Sequence, residues 1–221
     1  AICERVLYDT KVAIKPGMRE NELVIIQSAT ALRAGAEAFL HTSVASGDHT
    51  NPAYIVPQAT DRIIRHDELV FTDLCVVGPG GYVGDVSRTY LCGSKATDEQ
   101  RELYLMCYEW MEGFRKVVRP GLTLKEVAEK APRYPNGYEQ TPLPYLSHSV
   151  GLHLLATPMI FWNPELNAAD EIKPNMVITN QGYALKPGGG QGVYMEDMLL
   201  VTETGCEIIG KGPHDERMFD L

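Results

Sequence analysis

Two stretches of this 221-residue chain, 104 positions apart, share one pattern: Lys15-Pro16-Gly17-Met18-Arg19-Glu20-Asn21-Glu22-Leu23 and Arg119-Pro120-Gly121-Leu122-Thr123-Leu124-Lys125-Glu126-Val127. Each runs base, Pro-Gly, apolar residue, then a helix start with Glu ahead of an apolar position. Pro-Gly cannot continue a helix, so the pattern predicts a helix, a tight corner and a second helix. The segments leading in, 2–14 and 98–118, carry helical apolar spacing, the second with Thr97 as N-cap. An offset of nearly half the chain implies duplication of a unit built of helix, turn, helix and strands. The competing reading is chance, since Pro-Gly is a common connector.

After each helix pair the pattern shifts to short β-rich runs: 38–44, 54–56, 69–77 and 82–92 in the first half, 176–185 and 192–202 in the second. The glycine clusters Gly78-Pro79-Gly80-Gly81 and Gly188-Gly189-Gly190 lack the Lys-Ser/Thr of a phosphate loop and read as hairpin turns. Segregated helices and antiparallel strands predict an α+β protein with two pseudo-twofold halves, about 1–95 and 96–221, around one curved sheet. At 44% hydrophobic content, residues 1–221 can bury one sizeable core as a single domain. The chain opens at Ala1 without Met, midway through a helical pattern, as expected if an N-terminal domain precedes it.

Within the hairpin 69–90 each arm carries a carboxylate in apolar company, Asp73 on one and Asp85 on the other. Burying both is costly unless a divalent cation satisfies them. The alternative is a pair of strand-end carboxylates bonded to backbone N–H groups. His148 in Ser147-His148-Ser149 and Glu196 in the last apolar run are further candidate ligands. Their bland readings are a packed core histidine and a cross-strand ion pair with a residue such as Arg88. Cys75 shares a strand face with Asp73.

The formal charge of −9, with no Lys/Arg stripe, argues against a nucleic-acid partner. No apolar run is long enough to span a bilayer, and no signal peptide is recognisable. Five cysteines without a C-x-x-C pair read as reduced core residues of a cytoplasmic protein.

In order, Asp73, Asp85-Val86-Ser87-Arg88-Thr89, His148-Ser149-Val150-Gly151-Leu152, Met176-Val177-Ile178-Thr179-Asn180-Gln181 and Met195-Glu196-Asp197 resemble the pita-bread family, which includes methionine aminopeptidase, aminopeptidase P, prolidase and creatinase. The resemblance covers essentially the whole chain, Pro-Gly duplication included. It implies a mainly antiparallel sheet with helices on its outer face, a homodimer, and five ligands for one or two divalent ions. Those ligands map to Asp73, Asp85, His148, Gln181 and Glu196. One ion would see Asp73, Asp85 and Glu196; the other would see Asp85, His148, Gln181 and Glu196.

Gln181 departs from the family, which has Glu there. Three carboxylates then face the four positive charges of a two-ion site, so one ion, or weak occupancy of the second position, is expected. Iron, manganese, cobalt and zinc all suit oxygen and nitrogen ligands. The peptide-handling histidines of the family have no clear counterpart; His49 and His153 are the nearest candidates for proton transfer, with Tyr54 as a possible phenol donor. The string Ser46-Gly47-x-x-Thr50-Asn51-Pro52, the Asp73 to Asp85 spacing and the tail Glu196-Asp197 to Glu203-Thr204-Gly205 resemble the dimethylsulfoniopropionate lyases, a non-peptidase branch that uses iron. Cys75 stands where those lyases have another Asp.

The resemblance therefore implies a metal-dependent enzyme cleaving a C–N, C–S or related bond of a small carboxylate- or amide-bearing substrate. The alternatives are an Xaa-Pro type metallopeptidase and a binding protein that keeps the fold without catalysis.

Overall fold

The two Pro-Gly corners are structural equivalents down to their hydrogen bonds. In the computed structural model, which describes residues 1–51, 58–135, 143–186, 188–210 and 212–219, Gly17 and Gly121 both adopt left-handed backbone, φ 92° and 81°. The amide of Gly17 donates to the Ile64 carbonyl at 2.9 Å, and that of Gly121 to the Ile172 carbonyl at 3.0 Å. Each corner then makes an isolated antiparallel bridge at the next equivalent position, Arg19 with Ile63 and Thr123 with Glu171.

The corners join α1 (Ile2–Ala13) to α2 (Glu20–Arg33) and α3 (Asp98–Val117) to α4 (Leu124–Lys130). Thr97 caps α3 as expected, its hydroxyl accepting from the Gln100 amide while the Gln100 side chain accepts from the Thr97 amide. The same reciprocal cap starts α4 at Thr123 and Glu126.

Among the described residues, eight antiparallel strands form one sheet: β1 (Ala38–Ser46), β2 (Glu68–Val77), β3 (Val83–Cys92), β4 (Tyr145–Ser149), β5 (Ala156–Phe161), β6 (Val177–Leu185), β7 (Gly192–Val201) and β8 (Cys206–Ile209). Their order is β1-β2-β3-β7-β6-β4-β5, with β8 also on β7. The first half therefore supplies one side of the sheet and the second half the other, meeting where Ser87 of β3 faces Glu196 of β7. β4, β5 and β8 were not among the runs read from the sequence, and the run at 54–56, with Tyr54, lies outside the described residues.

Strand alternation assigns the two faces. Leu74, Val76 and Val86 pack with Val6, Leu7 and Ala31 of the first helix pair. Leu103, Cys107, Met111 and Phe114 of α3 pack with Ile178, Ala184, Val193 and Met195. The helices thus cover one face, and the residues one step out of phase point to the other. Asp73 and Cys75 of β2, Asp85 and Ser87 of β3, Gln181 and Tyr183 of β6, and Tyr194 and Glu196 of β7 all belong to that second set.

Candidate metal centre

Antiparallel register brings residues from both halves to the middle of the helix-free face: Cys75 opposite Asp85, Asp73 opposite Ser87, Ser87 opposite Glu196, and Glu196 opposite Gln181. Asp73, Asp85 and Glu196 are only 4%, 3% and 1% exposed. His148, on β4, completes the group: Nε2 lies 3.6 Å from Asp85 Oδ2 and 3.9 Å from Glu196 Oε1. The other ring nitrogen, Nδ1, lies 3.2 Å from the Ser149 carbonyl, an acceptor only, so Nδ1 carries the proton and Nε2 presents a lone pair to the carboxylates.

Each carboxyl has one oxygen held from outside and one facing inward. Ser87 donates to Asp73 Oδ1 at 2.5 Å, Cys75 to Asp85 Oδ1 at 2.9 Å and Tyr194 to Glu196 Oε2 at 2.7 Å. Glu196 Oε1 and Gln181 Oε1 are buried acceptors with no hydrogen-bond partner. The Gln181 amide nitrogen donates to Thr179 Oγ1 at 2.9 Å.

Protein atoms alone leave this arrangement unfavourable. Burial pushes the Asp73 carboxyl above its ordinary value. Burial and then the Asp73 charge raise Asp85 well above it; burial and then Asp85 and Asp73 do the same to Glu196. Burial holds the His148 imidazole below its usual value, in the neutral form that ligates metals. Clustered buried carboxyls, a neutral imidazole and two orphaned acceptors are what a divalent cation would satisfy. Two triads have donor atoms within 4.8 Å of one another: Asp73, Cys75 and Asp85, and Asp85, His148 and Glu196.

The cluster lies at the base of a cavity of about 360 Å³ walled by Leu40, Leu143, Tyr145, Leu154, Leu155 and Tyr183, a size that suits a small ligand. His41 of β1, which sequence reasoning passed over, also lines it. His41 pairs with Cys75 across the β1–β2 ladder, and its Nε2 lies 3.6 Å from Asp73 Oδ2 and 3.0 Å from Ser43 Oγ. The available signal was a histidine within the strand read at 38–44.

His49 and His153 do not line the cavity. His49 is half exposed beside the buried Glu20 carboxylate, at 3.8 Å, and His153 is an exposed residue in the bend before β5. Ser46, Gly47 and Thr50 of the string around His49 make structural hydrogen bonds. Glu20 accepts from Ser46, backbone and side chain, and from Thr60. Thr50 donates to the Gly47 carbonyl and accepts from the Gly192 amide. Arg88, on the helix face, pairs with Asp197 at 2.5 Å rather than with the Glu196 carboxylate, while its Nη1 donates to the Glu196 backbone carbonyl at 2.8 Å.

Residues 1–203 match metallopeptidase family M24. The chain belongs to that family. It is 26% identical over 205 residues to a dimethylsulfoniopropionate lyase of Roseovarius nubinhibens, covering 90% of this chain and 45% of the lyase. It is 30% identical over 203 residues to an Xaa-Pro dipeptidase of Pyrococcus furiosus, covering 90% and 55%. The solved prolidase of Pyrococcus furiosus superposes with a TM-score of 0.83 and 28% identity, covering 96% of this chain and 61% of that one. The pita-bread fold is thereby established, and the M24 chain spans about half the length of the curated relatives it matches. No helix among the described residues is long and apolar enough to cross a membrane.

Proposed function

We propose that this M24 chain is the catalytic part of a metal-dependent enzyme that cleaves a C–N, C–S or related bond in a small carboxylate- or amide-bearing substrate. The observation that carries the reading is the pair of orphaned acceptors, Gln181 Oε1 and Glu196 Oε1, inside a buried carboxylate cluster that opens into a cavity. Asp73, Asp85, His148, Gln181 and Glu196 would hold one or two divalent ions. A cation there supplies Lewis acidity, polarising a substrate oxygen or lowering the pKa of water.

The chain's own groups do the rest. Ser87 and Tyr194 hold one oxygen each of Asp73 and Glu196, so those carboxyls are fixed before substrate arrives. Leu40, Leu154 and Leu155 give the cavity an apolar part of its lining. In place of His49 and His153, His41 is the imidazole positioned to pass a proton at Nε2 between the cavity and Asp73.

The Xaa-Pro peptidase reading is supported by the Pyrococcus dipeptidase and prolidase, as the lyase reading is by the Roseovarius enzyme. A cytoplasmic location accords with five unpaired cysteines, and a homodimer is the assembly we expect on size-exclusion chromatography. The deciding experiment is elemental analysis of the dialysed protein and Asp85→Ala, followed by parallel assays on dimethylsulfoniopropionate and proline dipeptides. Metal retained by the native chain and lost in the variant establishes the centre, and turnover of one substrate class selects the reaction. No metal in the native protein would sink the enzyme reading and leave a binding protein on the same fold.

A further inference from the structure

Of the five thiols, Cys75 is the one that reaches the cavity. It is 3% exposed, its Sγ lies 2.9 Å from Asp85 Oδ1, and it forms a compact triad with Asp73 and Asp85. The second triad, Asp85 with His148 and Glu196, shares Asp85 with the first. The two triads therefore describe adjacent positions bridged by one carboxylate. Gln181 and Glu196, 4% and 1% exposed and each with an unpartnered oxygen, line the same cavity.

We propose that Cys75 is a metal ligand, and that its thiolate is the fourth anion of a two-ion centre. This inference rests on the reading of the site as a metal centre and adds to it a ligand, a stoichiometry and a preference. Asp73, Asp85 and Glu196 carry three negative charges, one short of balancing two divalent ions, because Gln181 is neutral. The Cys75 thiolate makes up the difference, which replaces the expectation of a single ion. On binding, the S–H bond to Asp85 is given up, the proton leaves to solvent, and the sulfur lone pair is donated to the ion held with Asp73 and Asp85. A thiolate selects borderline-soft ions, zinc, cobalt or ferrous iron, over magnesium, calcium or manganese. The two positions are thus unlike: one is O,S,O and the other O,N,O.

The test is titration of the metal-free protein with Co(II), following visible ligand-field bands for binding and a near-ultraviolet thiolate-to-cobalt charge-transfer band for sulfur ligation. The native protein is expected to show both and to saturate near about two equivalents. Cys75→Ser should lose the charge-transfer band and saturate near about one equivalent; Cys75→Asp should lose the band and keep about two. Far-ultraviolet circular dichroism of the metal-free variants establishes that they fold. Ligand-field bands without the charge-transfer band in the native protein would overturn the Cys75 assignment and leave the metal centre standing. So would a charge-transfer band that survives in Cys75→Ser, or equal stoichiometry in native protein and Cys75→Ser. A native protein that binds no cobalt at all would remove the metal reading together with the thiolate.

Discussion

Asp85 belongs to both triads and is buried beside Asp73 and Glu196, so in metal-free protein its ionised form is a liability that a cation would relieve. Asp85→Asn keeps an acceptor for Cys75 and removes a buried charge. It should raise the Tm of chelator-treated protein by about 2–4 °C, on the order of 1 kcal/mol, while abolishing metal retention; a lower Tm would show that the carboxylates are not in conflict. The pH dependence follows with a definite sign. These carboxyls have folded values raised above their ordinary 3.8 for Asp and 4.5 for Glu. The folded state therefore holds protons that the unfolded chain releases. That stability is fully present below about pH 4 and is lost as pH rises through the raised folded values. A bound cation neutralises the cluster and cancels the loss. Chelation should accordingly lower Tm more at about pH 8 than at about pH 5.5, and an equal drop at both would refute the account. The local signal for Asp73, Asp85 and Glu196 lay in their own strands, because a carboxylate in an apolar run announces its cost, whereas Gln181 was reached only through the family resemblance. His41 was illegible as a site residue because its place beside Asp73 depends on the register of β1 against β2, a relation between distant segments that alternation within one strand does not contain.

Between the two halves, the Pro-Gly corners invite a symmetric test. Gly17 and Gly121 have left-handed backbone, and a Cβ added at either would meet nothing within 4 Å. The cost of Gly17→Ala or Gly121→Ala is therefore conformational alone, about 1 kcal/mol in each half, measurable by urea denaturation. Markedly unequal losses would argue that the corners are not equivalent. Helices with clear caps and the apolar hairpin were readable because their signals are local: Thr97 with Gln100, Pro-Gly, and period-two runs. β4 was not. Its Tyr145-Leu146-Ser147-His148-Ser149 carries three polar residues in five, and it shares one registered pair with β6, Ser149 with Ile178. Side chains supply the other bonds: Ser147 Oγ donates to the Thr179 carbonyl, Ser149 Oγ to the Val177 carbonyl, and the His148 amide to Thr179 Oγ1. A strand pinned by side chains lacks the apolar alternation by which strands are recognised. β5 includes Pro158 and β8 is four residues long, so both fall below the same signal.

The two halves of the sheet meet where β3 of the first half pairs with β7 of the second, and the candidate metal centre lies on that seam. Directly behind it, on the helix face, Arg88 of β3 reaches across to Asp197 of β7, both buried, while its second arm holds the Glu196 carbonyl. The seam therefore joins the halves through an ion pair on one face and brings candidate ligands from both halves together on the other. Replacing Asp197 by Ala leaves a guanidinium buried without its partner, and should cost about 3–5 kcal/mol in urea denaturation. Replacing both members with apolar residues of similar size, Arg88→Met with Asp197→Leu, removes the stranded charge and should recover most of that loss. Metal retention should be lost in the double variant all the same, because it lacks the guanidinium that holds the Glu196 main chain. Stability and metal binding should thus separate in the double variant. If the double variant keeps its metal, Arg88 serves only to join the halves, and the positioning of Glu196 rests on Tyr194 and the β6–β7 ladder alone.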